Sequence, residues 1–160
     1  MNIFYLSENP NEAAELQYSK HVVKMVLETA QILCTTHHQL LGVDADVPYK
    51  STHKNHPSTV WARQSANNYQ WLFHHFVALC KEYERRYGKV HLSYTKCNHK
   101  VNLVPRSLHY TGLTKMPQCM PEEYHDECSV QAYWNYYVNE KSNIANQNTE
   151  EVYACRPLSY

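Results

Sequence analysis

Apolar side chains recur at three- and four-residue steps in two long stretches, and this periodicity restricts the fold more than any other feature. Residues 19–33, SKHVVKMVLETAQIL, carry one such stripe, the pattern of a helix that buries one face. Its apolar members are Val22, Val23, Val26, Leu27, Ala30 and Leu33. Residues 58–87 carry a second, aromatic-rich stripe, and we expect an interruption at Asn67 and Asn68. The sequence therefore predicts two long amphipathic helices.

Capping residues mark the ends of these helices. The sequence NPNE at residues 9–12 places an N-cap residue, a proline and a glutamate where they satisfy free N–H groups at a helix start. A helical stretch should begin there and run, with a break near Ser19, to Leu41. Gly42 and Gly88 follow the two helical stretches and predict their C-terminal ends.

The rest of the chain predicts loops and one more helix. Residues 42–57 combine Gly, Asp and Pro without periodicity, which is typical of a loop. Residues 89–128 contain several prolines, so we expect loops with short helical turns instead of a long helix. Ser129 is the expected cap of a last helix over residues 129–145, SVQAYWNYYVNEKSNIA.

Length and composition limit the number of domains. The chain has 160 residues, of which 43% are hydrophobic, and this suffices for one core. It has no internal repeat and only 3 glycines, and we expect residues 146–160 to be irregular. The sequence therefore predicts one compact all-α domain over residues 1–160, with three main helices and long irregular loops.

The charge balance, the N-terminus and the cysteines limit the partners and the compartment that the sequence predicts. Lys and Arg total 15 and Asp and Glu total 15, a balance that argues against strong, indiscriminate binding of duplex DNA. The N-terminus has no signal-peptide pattern, and no apolar run approaches the ~18 residues of a membrane span. The six cysteines include no C-x-x-C pair, so we expect reduced thiols. These features predict a soluble, cytoplasmic protein without a membrane partner and leave its oligomeric state open.

Four polar residues lie together on the first long helix: His21, Lys24, Glu28 and Gln31. At about 100° per residue, the step from His21 to Glu28 brings both side chains to the same face. A solvated face with a weak Lys24–Glu28 ion pair explains this pattern. A reaction centre is the alternative, because partial burial raises the pKa of a glutamate and a nearby lysine lowers it. The sequence leaves both interpretations open.

Histidines and cysteines offer ligands that zinc accepts, as in His53-x-x-His56 and Cys97-x-His99. None of them matches the four-ligand spacing of a structural zinc site, and adjacent histidine pairs point to different faces of a helix. We therefore expect no metal and no other cofactor, with a zinc protein built on these residues as an alternative.

The last predicted helix carries aromatic residues on every face, so some of them must face outward. Core packing explains the four-residue step from Tyr133 to Tyr137. Trp134 and Tyr136, together with Lys141, are candidates for stacking on bases and contacting phosphates.

Basic residues lie near the start and around the end of the second long stretch: Arg63, Arg85, Arg86 and Lys89. Cations are favourable at a helix C-terminus, which explains most of this cluster. Phosphate contact is the functional alternative, and nothing in the local sequence separates the two.

Two segments resemble the phage pyrimidine-dimer DNA glycosylases of the endonuclease V type. SKHVVKMVLETAQIL is similar to the family segment that bears the catalytic glutamate, which implies this role for Glu28 with His21 beside it. YWNYYVNEK is similar to the aromatic C-terminal segment of the family, which lies near DNA. The resemblance thereby implies nucleic-acid contacts for four residues: Trp134, Tyr136, Tyr137 and Lys141. For a phage protein, the expected compartment is the host cytoplasm.

The resemblance implies a compact all-α N-glycosylase and abasic-site lyase that acts on pyrimidine dimers or another altered pyrimidine without a metal. Its nucleophile is the α-amino group of the chain. An α-amine has a pKa of ≈ 7.7–8.0 against ≈ 10.4 for lysine, so far more of it is unprotonated at pH 7. The amine attacks C1′ of the sugar, the base leaves, and the resulting Schiff base permits strand cleavage. The glutamate helps to open the sugar and stabilises the developing positive charge.

The sequence departs from the family at two places. The family has a small residue after the initiator Met, whereas Asn2 is too large for efficient removal of Met1, so either residue is a candidate nucleophile. The family places arginines directly before its glutamate and three residues after it, where this chain has Leu27 and Gln31. Lys24 is a candidate to compensate for them.

Two further functions stay open at this point. The first is an N-glycosidase or base-modifying enzyme that acts on free or hypermodified nucleotides, which the neutral net charge favours. The second is a non-catalytic α-helical binding module, in which His21 and Glu28 are polar surface residues.

Overall fold

The computed structural model describes residues 2–144. Within this range the chain forms six α-helices and no strand, which confirms the all-α prediction. The helices are α1 (Pro10–Glu15), α2 (Ser19–Leu41), α3 (Pro57–Ala62), α4 (Ala66–Tyr87), α5 (Leu92–Val101) and α6 (Ser129–Lys141). Short 3₁₀ turns lie at Gly42–Asp44, Glu122–Tyr124 and Ser142–Ile144. The long helices α2, α4 and α6 correspond to the three main helices expected from the sequence, and residues 146–160 lie outside the described range.

The predicted helix ends of α1, α2 and α4 are confirmed. The side chain of Asn9 accepts hydrogen bonds from the backbone N–H groups of Asn11 and Glu12, and Pro10 begins α1. Gly42 follows α2 with a φ of 59°, and Gly88 follows α4 in the left-handed region with a φ of 65°. A side chain disfavours such a φ, so glycine allows the chain to turn at both points.

The centre of the fold is the packing of α2 along α4. The short helix α1 lies against α4, while α3 and α5 contact both long helices. From the predicted stripe of α2, four residues are fully buried, namely Val22, Val26, Ala30 and Leu33, while Val23 and Leu27 lie at its partly exposed edge. Burial of these apolar faces is the main source of stability in a fold of this kind.

An extended segment at the start of the chain is buried although it belongs to no helix. Ile3 and Leu6 are almost completely inaccessible to solvent. Indole groups bind its backbone: Trp134 donates to the carbonyl of Leu6 at 2.9 Å, and Trp71 donates to the carbonyl of Glu8 at 2.6 Å. Helix α6 therefore packs across the start of the chain and holds it beside α2.

The break in the second helical stretch lies at residues 63–65, so the prediction of a break at Asn67 and Asn68 was wrong. Ser65 caps α4 by accepting a hydrogen bond from the backbone N–H of Asn68. The Asn68 side chain donates to the carbonyl of Trp61 at 2.8 Å and is fully buried. The asparagine thus joins α3 to α4 from inside the second helix instead of interrupting it.

Two other helix predictions also need correction. Helix α5 lies in the region expected to contain only short turns, and its cap is His91, whose Nδ1 accepts from the backbone N–H of Ser93 at 3.1 Å. The cap position of α6 is Cys128 and not Ser129, because the Ser129 hydroxyl donates to the carbonyl of Met116 at 2.8 Å. Helix α6 ends at Lys141, four residues before the predicted end.

The five cysteines of residues 2–144 are all free thiols, and Cys155 lies outside the described range. Among the helices of residues 2–144, none combines the length and the apolar composition of a membrane span.

Candidate active site

The four polar residues His21, Lys24, Glu28 and Gln31 form a polar strip on α2. This strip borders a cleft with a volume of about 330 Å³. The start of the chain forms one wall and the end of α6 forms another. The lining residues are Asn2, Phe4, Lys20, His21, Lys24, Met25, Glu28, Tyr136 and Lys141. Of the four strip residues, His21, Lys24 and Glu28 thus share one concave surface, which is the usual form of a small-molecule or reaction site.

The Glu28 carboxylate is largely shielded and contacts the start of the chain. Its Oε2 atom accepts a hydrogen bond from the backbone nitrogen of Asn2 at 3.2 Å. Its Oε1 atom lies 3.3 Å from Nζ of Lys24, and the glutamate side chain is 14% exposed against 70% for the lysine. Glu28 therefore lies between a solvated cation and the second residue of the chain. Met1 itself is outside the described residues.

His21 forms part of the buried floor of the cleft. Its side chain stacks on Phe4 with ring centroids 4.7 Å apart, and its Nδ1 lies 2.7 Å from the hydroxyl of Tyr137. Burial, the largest cause, and the positive charges of Lys141 and Lys24 together lower the pKa of His21 to about 4, although Glu28 opposes them. His21 is therefore a neutral imidazole near pH 7.

The exposed rim of the cleft is positive, although the whole chain is formally neutral. Lys20, Lys24 and Lys141 line it together. The Nζ atom of Lys141 lies 4.8 Å from the ring centroid of Tyr136, within the range of a cation–π contact. Three lysines around one carboxylate create a local field that attracts anions such as phosphate.

The aromatic residues of α6 separate into two groups. Tyr136 lines the cleft, whereas Tyr137 is fully buried and reaches the site through its hydrogen bond to His21. Trp134 packs against the core with its indole on the Leu6 carbonyl and does not line the cleft. Contacts of Trp134 and Tyr137 with nucleic acid stay predictions, and their positions assign both residues a supporting role for the N-terminal segment and for His21.

The basic residues around the second helical stretch lie outside the cleft. Arg63 follows α3 and donates to the carbonyl of Lys54 at 2.7 Å. Arg85 is 67% exposed and pairs with Glu82, while Lys89 is exposed beyond the end of α4. Arg85 and Lys89 are thus exposed, whereas Arg63 is half-buried, and phosphate contact stays a prediction for all three.

Arg86 differs from its neighbours because its side chain is only 13% exposed. It pairs with Glu82 at 2.9 Å and donates to the backbone carbonyls of Gln17 at 2.6 Å and Glu15 at 2.8 Å. These bonds connect the end of α4 to the link between α1 and α2. The contacts of Arg86 are those of a structural residue.

Four residues at the site were not among the sequence-based candidates: Phe4, Lys20, Met25 and Tyr133. Lys20 precedes Lys24 and Glu28 by one and two helical turns, so the helical pattern contained a signal for it. Phe4 carried no local signal. Tyr133 is fully buried and donates from its hydroxyl to the side-chain oxygen of Asn2 at 3.0 Å, a contact between residues 131 positions apart.

The residues considered for zinc have other contacts. His56 accepts a hydrogen bond from the backbone N–H of Ser58, and His53 Nδ1 lies 2.7 Å from the Thr52 hydroxyl. Cys97 is fully buried. Within residues 2–144 no group of three or more His, Cys, Asp or Glu side chains is arranged to hold a metal ion.

The sequence matches a model of a known protein family. The model of the family described as pyrimidine dimer DNA glycosylase matches residues 1–95. No curated protein and no solved structure matches the chain. The matched range contains the N-terminal segment and all of α1 to α4, with Asn2, His21, Lys24 and Glu28, and it ends before α6.

Proposed function

The chain belongs to the pyrimidine dimer DNA glycosylase family, and on this basis we propose that it is a base-excision N-glycosylase with an associated abasic-site lyase activity. Its substrate is DNA that contains a pyrimidine dimer or another altered pyrimidine. The nucleophile is the α-amino group of the chain, and Glu28 is the carboxylate that assists it.

The contact between the Asn2 nitrogen and Glu28 Oε2, at 3.2 Å, is the observation that carries this proposal. If Met1 is removed, this nitrogen is the α-amine. If Met1 is retained, the amine belongs to that residue, which lies outside the described range. With Met1 removed, the nucleophile starts beside the carboxylate, which is the proximity that covalent catalysis requires.

The reaction proceeds in two stages. The unprotonated amine attacks C1′ of the damaged nucleotide, the bond from C1′ to the base breaks, and the base leaves with the bonding electrons. Opening of the sugar ring then gives a Schiff base, and loss of a proton from C2′ expels the 3′ phosphate. The Glu28 carboxylate stabilises the positive charge that develops at C1′ and at the iminium nitrogen.

The lysines of the rim bind the phosphates that flank the damaged nucleotide. Lys20, Lys24 and Lys141 lie on the exposed side of the cleft, where they can contact a DNA backbone without desolvating Glu28. Tyr136 offers a flat ring at the same rim for stacking on an unpaired base. His21 is neutral and buried, so it supports the floor of the cleft and adds no charge there.

A second candidate substrate is a free or hypermodified nucleotide, which an enzyme of the same mechanism would attack at the same sugar carbon. The formal net charge of 0 favours it, because it provides little non-specific attraction for a long duplex. The cleft volume of about 330 Å³ is also within the ordinary range for a small-ligand site.

Trapping with borohydride tests the proposal. The protein is incubated with abasic duplex, dimer-bearing duplex, undamaged duplex or free nucleotide in the presence of sodium borohydride, which reduces a Schiff base to a stable adduct. We expect an adduct with the abasic and dimer-bearing duplexes, and mass spectrometry should locate it at the first residue of the mature chain. An adduct with nucleotide alone supports the second candidate. Absence of any adduct, or an adduct on a lysine side chain, contradicts the amine mechanism.

A further inference from the structure

Both polar atoms of the Asn2 side chain form hydrogen bonds. Its Nδ2 group donates to the carbonyl of Cys119 at 3.1 Å. Its Oδ1 atom accepts from the Tyr133 hydroxyl at 3.0 Å and from the backbone N–H of Ile3 at 2.8 Å. The residue whose backbone nitrogen contacts Glu28 is therefore fixed from the opposite side by two distant parts of the chain.

Tyr133 is a rigid anchor for this contact. It is fully buried in α6, and its hydroxyl also lies 2.9 Å from the carbonyl of Pro117 and 3.4 Å from the backbone nitrogen of Cys119. The hydroxyl thus donates its hydrogen towards Asn2 and Pro117 and accepts from Cys119. A buried aromatic ring has few accessible rotamers, so the position of its hydroxyl is set by the packing of α6.

The loop that presents the Cys119 carbonyl is itself braced. The side chain of Gln118 donates to the carbonyl of Asp126 and accepts from its backbone N–H, at 2.5 and 3.0 Å. The Ser129 hydroxyl holds the Met116 carbonyl at 2.8 Å. These bonds connect the loop to the start of α6, so both partners of the Asn2 side chain move with one helix.

We propose that Asn2 and Tyr133 are positioning residues that hold the start of the chain in register with Glu28. The inference rests on the proposed function, since it assigns a role in that reaction. The extended segment has no helix to fix its position, and a free chain start would sample many conformations. Because a displacement of about 1 Å between reacting groups can cost about 10²-fold in rate, the bonds to Asn2 contribute directly to the geometry of attack.

This role explains why the chain has Asn at position 2. A small residue would favour removal of Met1, but it could not reach both the Cys119 carbonyl and the Tyr133 hydroxyl. Asparagine carries one donor group and one acceptor group on a short side chain, which are the two functions that these partners need.

Four variants test the proposal: Asn2→Leu, Tyr133→Phe, the double variant, and Tyr69→Phe as a matched control. Leucine at position 2 removes both side-chain hydrogen bonds and, like asparagine, is too large to favour removal of Met1. Tyr69 is also fully buried, and its hydroxyl donates to a backbone carbonyl, that of Val101, at 2.8 Å, but it lies outside the cleft lining. Two properties are measured for each variant with abasic duplex, namely the single-turnover rate of adduct formation and the Kd. A third is the titration of the α-amine, followed by NMR after reductive ¹³C-methylation.

We expect Asn2→Leu and Tyr133→Phe each to lower the single-turnover rate by about 10- to 100-fold while the Kd changes less than about twofold. The double variant should react no more slowly than the slower single variant, because both changes break one connected set of bonds. The pKa of the α-amine should be lower in these variants than in the parent, because the amine lies further from the carboxylate. Tyr69→Phe should lower the melting temperature and leave all three measurements unchanged.

Two results would overturn the proposal: equal rates and titrations for Tyr133→Phe and Tyr69→Phe, or additive effects of the two single changes. If Tyr133→Phe does not fold, Asn2→Leu decides, because it changes only a partly exposed side chain at the surface of the cleft. Failure of the proposed function is a separate outcome, since the parent protein then forms no adduct. The amine titration still shows in that case whether Asn2 and Tyr133 hold the chain start against Glu28.

Discussion

The hydroxyl of Tyr137 lies 2.7 Å from Nδ1 of His21 and also accepts the backbone N–H of Tyr18 at 2.8 Å. One side chain of α6 therefore contacts both Tyr18, at the N-cap position of α2, and His21, in the first turn of this helix. Phe4 covers the other face of the imidazole. This packing keeps His21 neutral and leaves Glu28 as the one carboxylate among the residues that line the cleft.

Burial of His21 should make the protein less stable in weak acid. The pKa of His21 falls from its ordinary value of 6.5 to about 4 on folding. Between these values the unfolded chain binds a proton that the folded chain does not bind, so the free energy of unfolding decreases as pH falls from about 6.5 towards 4. His75, which is also buried with a pKa of about 4, adds a second contribution of the same sign.

The measurement is the free energy of unfolding at several pH values for the parent, His21→Gln and His75→Gln. Each substitution removes one titrating group, and each variant should show a shallower loss of stability below pH 6.5. An NMR titration that places the pKa of His21 near 6.5 in the folded protein would contradict the prediction.

Glu28→Gln should lower the reaction rate while the free energy of unfolding stays almost unchanged. The amide keeps the size of the side chain and an oxygen for the Asn2 nitrogen, but it removes the negative charge that stabilises the developing cation. We expect the single-turnover rate to fall by about 10²–10³-fold, while stability changes by no more than about 0.5 kcal/mol from loss of the Lys24 pair. Glu84→Gln, at an exposed position of α4, is the control. Equal rates for Glu28→Gln and the parent on a cleaved substrate would exclude Glu28 as the catalytic carboxylate.

Lys141→Ala should weaken the binding of DNA because it removes a positive charge. The side chain lines the rim of the cleft at the end of α6. Loss of one phosphate contact should reduce the slope of log K against log[salt] by about 1. Lys81→Ala removes an exposed lysine of α4 that does not line the cleft, so its salt dependence should match that of the parent. The prediction is wrong if both variants show the same slope as the parent in binding titrations.

Two adjacent arginines should differ in their effect on stability. Arg86→Ala removes partly buried charge-assisted hydrogen bonds to Glu82, Gln17 and Glu15, and we expect a cost of about 2 kcal/mol. Arg85→Ala removes an exposed pair with the same glutamate and should cost less than about 1 kcal/mol. Denaturant unfolding of both variants measures this difference, and equal losses would contradict the structural role of Arg86.

Local patterns in the sequence were sufficient to predict the long helices and their ends. The apolar stripe of α2 and the caps at Asn9, Gly42 and Gly88 were predicted because each depends on residues within a few positions. Helix α5 was missed because His91 is an unusual cap and the nearby prolines suggested a loop. Its buried residues Ser93, Cys97 and Val101 follow one another at four-residue steps, which was a usable but weak signal.

The candidate site could be predicted only where it lies on one helix. His21, Lys24 and Glu28 share a face of α2, and the helical period is enough to group them. The contacts of Asn2 with Glu28, Cys119 and Tyr133 join residues separated by 26, 117 and 131 positions. No local pattern contains such contacts, because they depend on how α6 packs across an extended segment. The burial of Tyr137 beneath His21 follows from the same packing.

The attachment of the first residues to the last helix also has a consequence for protein synthesis. A ribosome adds Asn2 near the start of synthesis and Tyr133 131 residues later. During most of translation, the nascent chain therefore contains the amine and Glu28 but lacks the helix that aligns them. Under the proposed mechanism, these two groups are aligned only when α6 is complete, so we expect a chain that stalls before residue 129 to be inactive on DNA.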